Sequence, residues 1–385
     1  MNTVKENPKS NYKIPGSQLY VTRLSTLWRL FGRNTISKSK FWLVTKILIF
    51  STITTPFQWI QRMILHFKLK NINVSKNGAP IFILGHWRSG TTHIHYTMAK
   101  DKRFGYIANI QTFFFNICML GLAGMDKILA PFVPKKRPQD NVEFTITAPA
   151  EEEQVMSNIV PEAGVNSFYF PKNRNYFNQI NLFQGISPRR YKRWKKYYMY
   201  MLKVLSHANK EKQLLLKNPN NTARAKQLLE LFPDAKFIYI HRNPYQVYLS
   251  TKHLHRTVLR DQSLQDISLD LEDDIIIENY RSMMQGYLNS KKHIPEGQLV
   301  EIAFDDLGAE NEIEIFENIY KTLDLGNWDV QKPLIQEYLD SKKNYKKNKF
   351  VPIPEHLVKR IQTECSFVFD TYGYAKEYGQ KTPTE

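Results

Sequence analysis

Phe82-Ile-Leu-Gly-His-Trp-Arg-Ser-Gly-Thr-Thr92 is the stretch whose reading decides the fold. With Ile81 before it, 81–84 is an uninterrupted apolar run, the pattern of a short strand buried on both faces. Gly85 ends the strand. Arg88, Ser89, Gly90, Thr91 and Thr92 crowd donors into one loop, and a helix-like run continues over 94–99. A strand, a tight loop and a helix start make a place to hold a phosphate, because the loop amides point inward and the helix N-terminus carries partial positive charge. The spacing Gly85-x4-Gly90 mimics a triphosphate-binding P-loop, which needs Lys directly after its second Gly. Thr91 stands there instead. The loop's cation is Arg88, whose fixed fork of donors suits a compact anion. The departure points to a phosphate-containing donor that is not a triphosphate. A strand–turn–helix with an incidental Arg is the simpler alternative, but a plain turn does not require this concentration of donors.

Working outward, the same alternation recurs. An apolar strand over 214–217 is followed by Asn218-Pro-Asn-Asn and a helix over 222–231. A strand over 236–240 ends in His241-Arg-Asn-Pro and leads to a helix over 245–254. A strand over 299–304 precedes a helix over 311–323. Strands alternating with helices predict an α/β fold: a P-loop-like, three-layer domain around a central, mainly parallel sheet of four to five strands. Ligands of such sheets bind at the carboxyl ends of the strands. Arg88, Lys217 and Arg242 each stand at a strand's carboxyl end or in the loop just after one. Three cations on one edge demand a polyanionic ligand.

The chain has 385 residues, enough for one large α/β domain with additions. Its net charge of +18 favours anions: a nucleotide, a membrane surface or nucleic acid. Zinc-finger spacing and RNA-binding signatures are missing, so a nucleic-acid partner is not expected. Cys118 and Cys365, far apart, suggest neither a disulfide framework nor a metal site, and suit a cytoplasmic, reducing compartment. Residues 1–40 are polar and basic without a signal-peptide core. The 41–67 segment is apolar but interrupted by Lys46 and Pro56, and its uncharged run, 47–61, is shorter than the ~20 residues of a span. Ser51, Thr52, Thr55, Gln58 and Arg62 share one helical face. Two readings stand: a helix packed on the catalytic domain, or an amphipathic segment lying on a membrane or walling an apolar substrate pocket. The division expected is a basic and amphipathic helical segment over 1–75 and the main domain over 76–385. The aromatic run 104–124 is expected to pack near the loop, and 131–149 to form an exposed, Pro-rich connection. Glu151-Glu-Glu-Gln opens a helix. Ser187-Pro188 starts another, whose basic first turns read as a solvated face.

These motifs resemble the sulfotransferases that use 3′-phosphoadenosine 5′-phosphosulfate. The 85–92 loop is similar to their 5′-phosphosulfate loop in its Arg-Ser-Gly-Thr-Thr form. Phe237-Ile-Tyr-Ile-His-Arg-Asn-Pro-Tyr-Gln-Val-Tyr-Leu-Ser250 is similar to their 3′-phosphate segment. The linking Leu-Leu-Lys-Asn-Pro and Leu-Phe-Pro-Asp-Ala-Lys-Phe pieces and the late Phe304-Asp-Asp-Leu follow in family order, so the resemblance covers roughly 80–374. Arg137-Pro-Gln-Asp-Asn and Pro149-Ala-Glu-Glu-Glu resemble a bacterial-type branch. The resemblance implies that Arg88, Ser89, Gly90, Thr91 and Thr92 hold the 5′-phosphosulfate, that Arg242 and Ser250 bind the 3′-phosphate, and that Phe304 stacks on adenine. His93 stands where many members carry Trp against adenine. Lys217 matches the lysine that neutralises the leaving phosphate oxygen. The donor is then a co-substrate, and no metal is required.

The general base is the least determined element. The position of the cytosolic relatives' catalytic His holds Pro219. Glu151 and Glu153 are the first candidates, ahead of Glu152, because clustered carboxylates raise one another's pKa. The alternative is an acidic helix start paired with Arg88 or Lys217. His86 is the second choice. His241, His253 and His255 read as structural or surface residues. The expected reaction is sulfuryl transfer to the hydroxyl of a small-molecule alcohol, sterol-like or lipid. A carbohydrate or glycolipid acceptor, a nucleotide-dependent kinase and a non-catalytic anion- or membrane-binding protein are the competing readings. The basic run 341–349 offers Lys342 or Lys343 to the 3′-phosphate.

Overall fold

The computed structural model describes residues 17–121, 137, 140, 142–308, 311–343, 348 and 350–379. Five strands form one sheet: β1 (Ile81–Leu84), β2 (Phe104–Gly105), β3 (Gln213–Lys217), β4 (Lys236–His241) and β5 (Leu299–Ala303), in the order β2-β3-β1-β4-β5. Every pairing is parallel, with Ile83 opposite Lys217 on one side and Leu84 opposite Tyr239 on the other. The expected α/β sheet is therefore present, with β2 as a fifth strand. Sequence reading had merged it into the aromatic run 104–124, because two residues are too few to show a period.

Alternation along the strands builds two cores, one on each face of the sheet. Phe82, Leu84, Leu214, Leu216, Phe237 and Tyr239 face one way, into a cluster with Tyr198, Met201 and Leu205 from the helix Pro188–Ala208. Ile81, Ile83, Leu215, Ile238, Ile240 and Ile302 face the other, against Ile94 and Met98 from the helix Thr91–Met98 and Phe316 and Ile319 from the helix Glu312–Thr322. Burial on both faces explains why these strands read as continuous apolar runs.

The N-terminal part shares the first core through Leu19, Leu27, Leu30, Ile47 and Leu65. The 41–67 segment is one unbroken helix, Phe41–Lys68, with Pro56 inside it. Its residues that turn to the protein include polar ones. Ser51 Oγ donates to the Tyr20 carbonyl at 3.1 Å, and Gln61 donates to the Phe115 carbonyl at 2.8 Å and accepts from the Met119 amide at 2.7 Å. Among the described residues it is the one helix long and apolar enough to cross a bilayer. Lys46 and Pro56, which interrupt the apolar run in the sequence, both lie within this one continuous helix.

The basic start of the Pro188–Ala208 helix is only partly a solvated face. Arg190 stacks 3.7 Å from the Tyr176 ring centroid, and Arg193 pairs with buried Glu162 at 3.1 Å. Of the Pro-rich connection, residues 131–136, 138, 139 and 141 lie outside the described residues. Within it, Asp140 is buried rather than exposed.

Candidate active site

The carboxyl ends of β3, β1, β4 and β5 present, in that order across the sheet, Lys217, the loop from Gly85, Arg242 and Phe304. The loop needs its glycines. Gly85 has φ +143, and a Cβ there would lie 2.6 Å from the Ile240 carbonyl; its amide donates to Thr222 Oγ1 at 2.9 Å. Gly90 has φ +98, and a Cβ would meet the Phe304 ring at 2.6 Å. Thr91 and Thr92 then start the helix Thr91–Met98, so their amides belong to the first turn, which lacks intrahelical acceptors. Gly90→Ala is expected to cost about 1–3 kcal/mol, because positive φ and the ring contact both oppose a methyl group. A shift in urea midpoint checks it.

Arg88 is a non-glycine residue with φ 71, an uncommon backbone held by its neighbours. Its carbonyl accepts from Arg242 Nη1 at 3.0 Å. Its guanidinium donates through Nε to Ser250 Oγ at 2.9 Å and through Nη1 to Asp140 at 2.7 Å. Arg137 also pairs with Asp140. Burial alone would raise the Asp140 carboxyl, but the charges of Arg137 and Arg88 outweigh it and hold the group below the usual carboxylate range. The Arg242 guanidinium lies 3.9 Å from the Phe304 ring centroid. The loop, Arg88, Arg242, Ser250 and Phe304 are thus one contiguous cluster. Sequence reading missed the part Asp140 plays, since nothing local ties it to a loop 52 positions earlier.

Lys217 closes the other side. It is buried, and its Nζ lies 2.6 Å from Glu151 Oε1, the ion pair that the sequence offers as the alternative to a general base; Glu151 also forms a parallel bridge with the end of β3. The three consecutive glutamates go to different places. Glu151 is the N-cap of the helix Glu152–Ile159 and its side chain is 23 % exposed. Glu153 is fully buried; its carboxylate accepts from Arg224, from Asn218 Nδ2 at 2.7 Å and from the Gly164 amide at 2.6 Å. Glu152 is buried too, and Oε1 accepts from Tyr198 at 3.1 Å and Asn221 at 2.9 Å.

Burial pushes the Glu152 carboxyl up to about 7 from the ordinary 4.5. The folded protein therefore keeps a proton that the unfolded chain releases. Stability should fall as pH rises from about 4.5 to about 7 and level off beyond, by about 1.4 kcal/mol per unit of separation. In Glu152→Gln this part of the slope should vanish, which urea titrations across that window would measure.

His86 is buried, and its Nδ1 lies 2.8 Å from the Trp87 carbonyl, which can only accept, so the ring proton sits on Nδ1. Burial lowers its pKa to about 4. His95, behind the sheet edge, is kept neutral by burial and by the charge of Lys217. His241 stacks on Tyr372 at 3.9 Å and meets the Tyr374 hydroxyl at 2.8 Å; burial takes it, like His255, down to about 4. His93 engages Glu312. Lys342 pairs with Glu143 at 3.3 Å and Lys343 with Asp340 at 2.7 Å, while 344–347 and 349 lie outside the described residues. An aromatic wall runs from the loop itself: Trp87 against Phe168 at 5.1 Å, and His86 against Tyr280 at 5.0 Å. Surface depressions of about 390 and 490 Å³ lie elsewhere, one along Tyr106 and Asn209 and one among Gly78, Gln213 and Lys236, and neither is lined by the cations of this edge.

The family model described as "Sulfotransferase family" matches residues 80–329. Among curated proteins the chain is similar to the "Omega-hydroxy-beta-dihydromenaquinone-9 sulfotransferase Stf3" of Mycobacterium bovis and of Mycobacterium tuberculosis. Each is 28 % identical over 304 residues, covering 77 % of this chain and 75 % of the relative. Among solved structures, sulfotransferase STF9 from Mycobacterium avium superposes with a TM-score of 0.61 at 18 % identity, over 92 % of this chain and 97 % of that one. Sulfotransferase STF1 from Mycobacterium tuberculosis gives 0.61 at 13 % identity, over 83 % and 90 %. At such identities the structural likeness speaks to the fold.

Proposed function

The chain belongs to the sulfotransferase family, and from that premise we propose that it moves a sulfuryl group from 3′-phosphoadenosine 5′-phosphosulfate to the hydroxyl of an apolar lipid alcohol. The observation that carries this reading is the row of Lys217, the Arg88 loop and Arg242 along the carboxyl ends of β3, β1 and β4. The loop amides, Ser89, Thr91, Thr92 and Arg88 hold the 5′-phosphosulfate. Arg242 and Ser250 take the 3′-phosphate, and Phe304, already against Arg242 and Gly90, takes the adenine.

The acceptor oxygen forms a bond to sulfur as the bond from sulfur to the 5′-phosphate oxygen breaks. The products are a sulfate ester and 3′-phosphoadenosine 5′-phosphate. By analogy with phosphoryl transfer, the transition state is loose and in line, so the protein's work is positioning and charge stabilisation. Lys217 neutralises the charge that grows on the leaving oxygen. Glu151 accepts the acceptor's proton; of the three glutamates it is the one at Lys217, while Glu153 is engaged by Arg224 and Glu152 by Tyr198 and Asn221. The relative's name supports a lipid acceptor, and so does the aromatic wall of Trp87 and Phe168.

Calorimetric titration with 3′-phosphoadenosine 5′-phosphate beside ADP tests the donor, and transfer of labelled sulfate to hydroxylated lipids against soluble sugars tests the acceptor. No preference over ADP would sink the reading. Glu151→Gln is expected to reduce kcat about 10²–10⁴-fold with donor affinity little changed. Glu153→Gln should lower the unfolding midpoint instead, because it leaves Arg224 buried beside a neutral partner.

A further inference from the structure

The helix Phe41–Lys68 is amphipathic the wrong way round for a water-facing helix. Its protein side carries Ser51, Gln58 and Gln61 between Ile47 and Leu65. At 3.6 residues per turn, the opposite side carries Trp42, Ile49, Ile53, Trp59, Ile60 and Phe67, all exposed, and no charged residue. Lys46 and Arg62 fall on its two flanks. Trp28, on the neighbouring helix Leu24–Phe31, is 83 % exposed and Trp42 73 %. Such an apolar surface on a described segment of about 40 Å marks an interaction site.

Charge identifies the partner. From Ser17 to Lys70 the sequence has nine Lys or Arg and no Asp or Glu. Lys38, Lys46, Arg62, Lys68 and Lys70 are exposed around the apolar face. A protein groove lined with hydrocarbon does not require this one-sided charge, whereas an anionic lipid surface attracts it, with long cationic stems reaching back to the headgroups. The exposed tryptophans Trp28, Trp42 and Trp59 suit the same interface.

We propose that this helix lies in the plane of an anionic lipid bilayer, with its apolar face among the headgroups and upper acyl chains. Crossing is opposed by the other face. Ser51 is bonded to the Tyr20 carbonyl and Gln61 to the backbone at Phe115 and Met119, one near each half of the helix, so its length is fastened along the catalytic domain. A helix so fastened cannot enter hydrocarbon end-on without stranding those groups. This docking stands on surface chemistry and holds whatever the acceptor proves to be.

The test is flotation of the full chain with vesicles of phosphatidylcholine, with and without phosphatidylglycerol. Binding should be at least about tenfold stronger with phosphatidylglycerol and weaken as salt rises. Lipids brominated near the headgroup end of the acyl chain should quench tryptophan emission. Ile53→Asp with Ile60→Asp should abolish flotation while leaving affinity for 3′-phosphoadenosine 5′-phosphate unchanged. Failure of the wild-type chain to float, or flotation without bromine quenching, overturns the proposal; both readings are independent of how the variant folds. Three further outcomes overturn it: the folded variant floating like wild type; a wild-type dimer that the substitutions split and that binds no vesicle, which assigns the face to a second copy; and release from vesicles by detergent but not by alkaline carbonate, which means the helix spans.

Discussion

Lys217→Ala is expected to lower kcat about 10²–10³-fold while changing affinity for 3′-phosphoadenosine 5′-phosphate far less. Lys217 is 3 % exposed at the last position of β3, so its ammonium is held in a poorly solvated place where one charge has a large effect. On the proposed reaction path that charge matters most as the sulfur–oxygen bond breaks and the 5′-phosphate gains its negative charge. Lys217→Met, which keeps the stem, should fall by a similar factor, separating lost charge from lost packing. Lys217→Arg should rescue poorly, because a planar fork does not fit the point at which a compact ammonium meets Glu151 at 2.6 Å. Single-turnover measurements with saturating donor would read the effect. An unchanged rate in the Ala variant would remove Lys217 from the mechanism.

Arg242→Ala should weaken binding of 3′-phosphoadenosine 5′-phosphate about 10- to 150-fold, the equivalent of ~1.5–3 kcal/mol for a charge-assisted hydrogen bond. Binding of ADP, which lacks the 3′-phosphate, should change little. The ADP arm matters because Arg242 also donates to the carbonyl of Arg88, a residue with positive φ, and lies over the Phe304 ring. Equal losses for both nucleotides would mean that Arg242 supports the loop without reading the 3′-phosphate. A loss confined to the 3′-phosphorylated nucleotide assigns it to recognition.

The strand, loop and helix start around Gly85 and Gly90 were legible in the sequence because their determinants are local. A four-residue apolar run buried on both faces, glycines where φ is positive, and cations at strand ends or in the loops after them are each written within a few positions. That the strands run parallel followed from the alternation of elements. The sequence alone thus determined the α/β sheet and placed Arg88, Lys217 and Arg242 on its carboxyl edge.

Tertiary structure decided what depends on distant partners. Glu151, Glu152 and Glu153 are chemically identical and adjacent, but Glu151 is the extended N-cap bridged to the end of β3, and Glu152 and Glu153, the first two helical positions, diverge by about 100°; Lys217, Tyr198 with Asn221, and Arg224 then receive one each. Asp140 reaches Arg88 across a connection with no periodicity to read. The polarity of the helix Phe41–Lys68 was visible in sequence, but a helical pattern does not say which side faces the protein. Hydrogen bonds from Ser51 and Gln61 to backbone groups of separate elements turned its polar stripe inward and left the apolar face outside.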